Sequence, residues 1–178
     1  SGDNGPSDGG GDTDPSDGGG GQTEEPTADA PDIPPPDPAD YAGMDENTED
    51  GATQAFRYYI AMSMWAHQTG DDSTLLALQS DSCGGCTALN EELPKLQATD
   101  TYWSAFEVIE VEITPHTSEK FDFEIGYSFT IPEHTRPDPN DGAPVEYNPI
   151  EYNTVGGMSW SSDGWTVGGL NSKWGPDV

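Results

Sequence analysis

The sequence predicts an α+β domain, with helices first and antiparallel strands after them, behind a long acidic segment without regular structure. Two patterns support this prediction. From Asn47 to about Gln97, apolar residues recur every three to four positions, which is typical of amphipathic helices. From Phe106 onward they alternate with polar residues, which is typical of strands with one buried face. We therefore expect the helices to pack on one face of a curved sheet.

The composition excludes several classes of function. The chain has 178 residues with 34 Asp and Glu but only five Lys and Arg, which gives a formal net charge of −29. Nothing in it could neutralise a run of phosphates, so we expect no nucleic acid as a partner. Anionic membrane surfaces would repel it as well. Such an acidic excess favours a soluble monomer but strains the compact state through self-repulsion.

Residues 1–46 have the composition of a disordered linker. The stretch "PSDGGG" occurs at residues 6–11 and 15–20, and the segment contains no Lys or Arg and few large apolar residues. It cannot bury enough surface to offset its ordering entropy. The Gly-rich part predicts a flexible coil, and "PDIPPPDP" predicts a stiffer spacer. We therefore place the domain boundary at 46, with a folded domain over residues 47–178.

Three helices are predicted at the start of the domain. The first begins at Asn47 or Thr48, both good N-terminal caps, and ends at Gly70. The stretch "DDSTLLALQS" predicts a short second helix. The stretch "SCGGCTALNEELPKLQ" predicts a third, which Pro94 disturbs.

The strands follow. In "FEVIEVEIT", alternation places Ile109, Val111 and Ile113 on one face. "PEHTRPDPNDGAPVEYNP" predicts a long Pro-rich loop, and "IEYNTVGGMSW" and "WTVGGL" predict two more strands joined by a turn at residues 161–164. The clearest alternation is in "FDFEIGYSFTI", whose inward-facing set is expected to be Phe121, Phe123, Ile125, Tyr127, Phe129 and Ile131.

The run from Gly51 to Cys86 combines a helix ending in "TGD", a Leu-rich turn and a C-x-x-C. Together with the Pro- and acid-rich segment before it and the Trp-containing hairpin after it, this run resembles a group of uncharacterised actinobacterial lipoproteins. The resemblance covers about Pro34 to Leu170. It implies a fold similar to the nuclear-transport-factor-2-like (NTF2-like, cystatin-like) cone, in which helices cross a bent antiparallel sheet and leave a cavity. It also implies a lipid-modified Cys before Ser1, outside this chain, and no activity carries over.

Cys83 and Cys86 allow three interpretations. The exported location that the resemblance implies is oxidising, so a structural disulfide is favoured. A redox-active pair would profit from a helix N-terminus, but the strand and βαβ context of thioredoxin-like motifs is missing. A zinc site needs about four ligands, and the histidines are scattered. We therefore predict a disulfide that staples the third helix, with no metal.

Other polar residues are weak candidates for a site. His67, near the end of the first helix, is expected to act as a charged cap, favoured by the helix dipole. His116 and His134 have no neighbour in sequence that would make a catalytic dyad. "DPNDG" at residues 138–142 lacks the spacing of a calcium loop and predicts an ordinary turn.

The remaining acids and aromatic residues allow a pocket. Asp122 and Glu124 share a strand face, which is expected to be solvated, although an acid inside a cone-shaped cavity could act as a general base. Tyr59, Phe123, Tyr127 and Trp160 are most simply core residues, but they could also line a shallow apolar pocket.

The function expected from these features is that of a non-catalytic binding or accessory module of the cell envelope. Its extracytoplasmic domain would be tethered to the plasma membrane through the inferred lipid anchor alone, and it would act as a monomer without a cofactor. Its partner would be an envelope protein or a small apolar ligand. The alternatives are an NTF2-like cavity enzyme of the isomerase or hydrolase type, and a thiol-disulfide protein using Cys83 and Cys86.

Overall fold

The computed structural model of the protein describes residues 28–175 and confirms the α+β class, with an antiparallel sheet and a few helices. The two "PSDGGG" repeats lie outside the described residues. A short 3₁₀ helix, Pro38–Asp40, precedes the regular elements. The helices are α1 (Glu49–Thr69), α2 (Ser73–Ala77), α3 (Gly84–Leu89) and α4 (Leu93–Thr99). The strands are β1 (Ile109–Thr117), β2 (Phe123–Ile131), β3 (His134–Pro137), β4 (Pro144–Tyr147), β5 (Ile150–Ser161) and β6 (Gly164–Trp174).

Helix α1 begins and ends at the predicted residues. The Thr48 side chain accepts a hydrogen bond from the backbone N–H of Gly51 at 2.9 Å, which satisfies one of the first unpaired donors. Gly70 adopts a left-handed conformation with φ 84°, and its N–H donates to the Ala66 carbonyl. Between these caps, the helix buries Phe56, Tyr59 and Ile60 against the sheet.

The predicted third helix is in fact two, α3 and α4. Pro94 lies in the first turn of α4, where the missing N–H has no helical partner to lose. The predicted helix is thus interrupted at residues 90–92, just before Pro94, as expected of a proline that cannot donate to the preceding turn.

A four-stranded antiparallel sheet in the order β1-β2-β5-β6 carries the core on the face that α1 covers. The alternation predicted for β2 is confirmed for Ile125, Tyr127, Phe129 and Ile131, which are all buried. Phe121 precedes the strand, and its ring lies directly over Gly157 on the sheet face opposite the core. Its predicted inward position is therefore wrong.

Strand β1 contains a bulge that changes its faces. Glu110 pairs with Phe129, but Glu112 pairs with Ser128, so Val111 is an extra residue without a partner. Ile109 and Val111 are 52% and 58% exposed. The prediction that both share a face with Ile113 is therefore wrong. A single inserted residue exchanges the inward and outward side chains.

The Pro-rich segment predicted to be a loop forms the hairpin β3–β4 instead. His134 pairs with Tyr147, and Pro137 pairs with Pro144. Pro137 is the last residue of β3 and Pro144 is the first residue of β4. Proline is tolerated at these strand ends because its missing N–H is not needed for pairing in a two-stranded sheet. The Asp138 carboxylate accepts the N–H of Asn140 at 2.7 Å and holds the connecting turn. That part of the segment is the ordinary turn that the sequence predicts.

Residues 28–46, the described part of the predicted linker, lie against the domain. The Trp65 indole N–H donates to the Ile33 carbonyl at 3.2 Å, and the Trp165 indole N–H donates to the Glu46 carbonyl at 2.8 Å. Tyr41 and Met44 pack against the core. The packed part of the chain thus begins before residue 47. Among the described residues, no helix has the length and apolar character needed to span a bilayer.

Candidate functional site

A groove of about 630 Å³ lies between α1, the N-terminal segment around Ile33, and the stretch 105–110 that leads into β1. Its lining combines apolar and polar side chains. The apolar side chains include Ile33, Ile60, Met64, Trp65, Phe106 and Val108. The polar side chains include Arg57, Glu110 and Tyr127, which together are named the groove floor. This combination of an apolar enclosure and few polar groups is typical of small-molecule sites.

The bulge in β1 is what brings an acid into this groove. Without the extra residue Val111, alternation along the strand would direct Glu110 to the solvent face; with it, Glu110 stands opposite the buried Phe129. There its carboxylate accepts a hydrogen bond from Arg57 Nε at 2.7 Å. Bulges commonly re-aim a side chain in this way next to functional sites.

The Arg57–Glu110 ion pair orients side chains more than it stabilises the fold. The two side chains are 29% and 38% exposed, so the pair is expected to contribute only about 0–1 kcal/mol. Arg57 is held further by Gln54, which accepts from Nη1 at 2.8 Å, and by the Tyr41 ring, 5.3 Å from the guanidinium carbon. A fixed guanidinium in turn fixes the carboxylate of Glu110.

Tyr127 supplies a hydroxyl beside this carboxylate. Burial raises the pKa of Tyr127, and the negative charge of Glu110 raises it further. The phenol therefore stays protonated at neutral pH and can donate a hydrogen bond. The groove floor thus offers a carboxylate acceptor and a phenol.

The four residues predicted to line a pocket do not come together in the structure. Tyr127 lines the groove. Tyr59 is fully buried in the core, where its hydroxyl donates to Gln79 Oε1 at 2.7 Å. Phe123 and Trp160 both pack on Trp165 at the end of the β5–β6 hairpin.

The predicted strand acids lie away from the groove. Glu124 stands opposite His116 on the outer sheet face and accepts a hydrogen bond from the Ser118 hydroxyl at 2.7 Å. Asp122 accepts the backbone N–H of Trp160 at 2.8 Å. Alternation in the sequence singles out these two acids but not Glu110, because no local signal marks the bulge that turns Glu110 inward.

His67 is not a charged cap, and that prediction is wrong. Its ring is fully buried, 4.3 Å from the Trp103 ring centroid, and burial lowers its pKa to about 4. Its Nδ1 lies 2.7 Å from the Ser63 carbonyl. A neutral ring that donates from Nδ1 satisfies this contact, so His67 serves as a core residue.

His134 belongs to a buried polar cluster around Arg136. The guanidinium of Arg136 stacks on Trp103 at 3.7 Å, and its Nε donates to His134 Nε2 at 2.8 Å. His134 accepts this bond only when it is neutral, and burial together with the adjacent Arg136 charge lowers its pKa. The cluster attaches the β3–β4 hairpin to the rest of the domain.

Cys83 and Cys86 form a disulfide at the start of α3. The exposed fractions of Cys83 and Cys86 are 1% and 0%, so an external thiol has little access to either sulfur. Among residues 28–175, no group of three or more His, Cys, Asp or Glu side chains is arranged to hold a metal ion.

The chain belongs to the family of unknown function DUF6318, whose model matches residues 21–141. The matched region contains α1, the N-terminal segment on the groove, and strands β1 and β2. All the groove residues named above therefore fall within it. No curated protein matches the chain.

Proposed function

We propose that this protein is a non-catalytic binding module of the cell envelope, whose groove holds an elongated apolar ligand with a cationic end. The observation that carries the proposal is the apolar groove with a preoriented carboxylate on its floor. A volume of about 630 Å³ falls within the roughly 300–1,000 Å³ usual for ligand sites. Ile60, Met64 and Phe106 would bury the apolar body of the ligand.

The charge of the groove supports a cationic end. Glu107 and Glu110 line it together with one cation, Arg57. Arg57 already donates to Glu110 and Gln54, so an anionic ligand would have to compete with two fixed acceptors. A ligand ammonium would instead be attracted by the two acids, and the negative net charge of the chain favours its approach.

An extracytoplasmic location is part of the proposal. A buried disulfide fits an oxidising compartment, since cytosolic thiols are usually kept reduced. A lipid anchor, which only the resemblance in sequence implies, would hold the domain at the membrane. The packing of α1 on one face of an antiparallel sheet is an arrangement that a cone of the NTF2-like type would also have.

The experiment is a titration with Nile red, a neutral dye that fluoresces in apolar sites, followed by displacement with charged amphiphiles. We expect saturable binding at about one dye per chain, lost in Ala61→Trp, which fills the groove, and kept in Ala98→Trp on the exposed face of α4. Dodecyltrimethylammonium should displace the dye at lower concentration than dodecyl sulfate. Unsaturable binding, or equal binding by the two Trp variants, would overturn the proposal.

One observation favours a cavity enzyme as a second candidate. Glu110 and Tyr127 place a base and an acid side by side on the groove floor. The Glu110 carboxylate already accepts a hydrogen bond from Arg57 Nε, which is why we prefer binding. Turnover of any groove ligand that Glu110→Gln abolishes while Glu124→Gln retains it would favour the enzyme. The buried cysteines do not favour a thiol-disulfide function.

A further inference from the structure

One edge of the main sheet has no neighbouring strand in the part of the chain that the structure describes. Strand β1 pairs with β2 alone among the described residues, and no other described backbone group hydrogen-bonds to it. An antiparallel edge strand directs the N–H and C=O groups of every second residue away from its partner. These groups are available to a further strand.

The opposite edge is covered in the middle of β6. The segment between α2 and α3 runs beside it, where Ser80 N–H donates to the Val167 carbonyl and Val167 N–H donates to the Leu78 carbonyl, both at 2.9 Å. Val167 itself is a buried residue of the core. The fold thus closes one edge with its own chain, whereas residues 28–175 provide no cover for the other.

The open edge exposes apolar side chains. Natural edge strands are commonly protected by charges, proline or bulges. This edge has Pro115 and the bulge, yet Ile109 and Val111 are both more than half exposed. Exposed β-branched residues beside unpaired backbone groups are the features that add a strand to a sheet.

Charge indicates what kind of strand fits. The stretch 105–119 contains Glu107, Glu110, Glu112 and Glu119 and no Lys or Arg. Pairing β1 with β1 of a second copy would bring these acids together in a chain of net charge −29, which is unfavourable. A basic segment would instead lie beside opposite charge.

We propose that the edge of β1 from Ile109 to Thr114 takes an extended cationic segment of a partner protein as an added strand. Its apolar residues would cover Ile109 and Val111, and its Lys or Arg residues would lie beside Glu112. This goes beyond ligand binding in the groove and does not depend on it, because it uses the outer edge of the sheet.

The test uses three blocked eight-residue peptides and amide NMR of the ¹⁵N-labelled protein. The first repeats Lys-Thr-Val-Thr, so that its Lys and Val side chains share one face as Ile109 and Glu112 do. The second has Glu in place of Lys, and the third repeats the first with all of its backbone amides N-methylated. We expect the Lys–Val peptide to protect β1 amides from hydrogen exchange. The N-methylated peptide should bind about tenfold or more weakly because it lacks the backbone donors, and the Glu–Val peptide should not bind.

Protein variants test the location. The double variant Ile109→Ser/Val111→Ser keeps the charge and should weaken binding of the Lys–Val peptide by about tenfold. Leu76→Ser, at a residue that is 54% exposed on α2, should leave it unchanged. Equal binding of the methylated peptide, or unaltered binding by the double variant, would overturn the proposal. So would a homodimer in sedimentation that the double variant abolishes, since the occupant would then be a second copy.

Discussion

Two neighbouring glycines in α3 allow a sharp test of how this helix packs on the sheet. A Cβ added at Gly85 would lie 1.7 Å from the Leu170 carbonyl oxygen of β6, whereas a Cβ at Gly84 would meet nothing within 4 Å. The obstructing atom belongs to the backbone, so no rotamer change can relieve the overlap. The substitution Gly85→Ala must therefore push α3 away from β6, toward the 3.4 Å or more of an ordinary contact.

The two substitutions should change the stability of the fold in opposite directions. Overpacking typically lowers the free energy of unfolding by about 1–3 kcal/mol, and we expect the upper end for Gly85→Ala because Cys86 and its disulfide are buried next to the contact. For a chain of this size, that corresponds to a fall in Tm of roughly 6–12 °C. Gly84→Ala should raise Tm slightly, since alanine is the better helix former. Scanning calorimetry of both variants measures this difference, and an unchanged Tm for Gly85→Ala would refute the packing of α3 on β6.

Three further predictions concern pH, the disulfide and salt. Below pH 6.5 the unfolded chain gains a proton at His67 that the folded chain takes up only near pH 4, so the free energy of unfolding should fall by about 2 kcal/mol between pH 6.5 and 5. Urea titrations should show a smaller fall in His67→Gln and an unaltered one in His116→Gln, whose side chain is exposed. Replacing both cysteines with serine should lower the free energy of unfolding by about 2 kcal/mol or more, because a disulfide that closes a short loop contributes about that much and both sulfurs are buried. Urea titration measures this change. An unchanged midpoint would contradict a stabilising role of the disulfide. Raising NaCl from low to high concentration should raise Tm, because salt screens the repulsion among acids; a flat or falling Tm would mean that self-repulsion is unimportant.

The sequence predicted those features that depend on local chemistry. The ends of α1 follow from Thr48 as an oxygen-bearing cap and Gly70 as a residue that tolerates positive φ. The alternation of β2 is readable because one face is buried along the strand from Ile125 to Ile131. The turn of the β5–β6 hairpin follows from Gly164, whose φ is 102°.

The features that the sequence did not predict depend on partners distant in the chain. The bulge at Val111 exists only in relation to β2, so a single-strand pattern cannot reveal that Glu110 turns inward. The position of His67 near the end of α1 can be read from the local sequence, and it predicts a charged side chain. Its burial against Trp103 depends on a residue distant in the chain, so the sequence does not reveal it. The Pro-rich segment forms a hairpin because Arg136 and His134 find partners on distant residues such as Trp103.

The most direct test of the groove uses methionine methyl groups as reporters during the Nile red titration. Met64 lines the groove and Met158 lies in the core outside it, although both are nearly fully buried. In ¹³C-methyl NMR, we predict that the Met64 signal shifts and saturates with the dye while the Met158 signal stays in place. A stationary Met64 signal at saturating dye, or equal shifts of both signals, would contradict the assignment of the groove as the binding site.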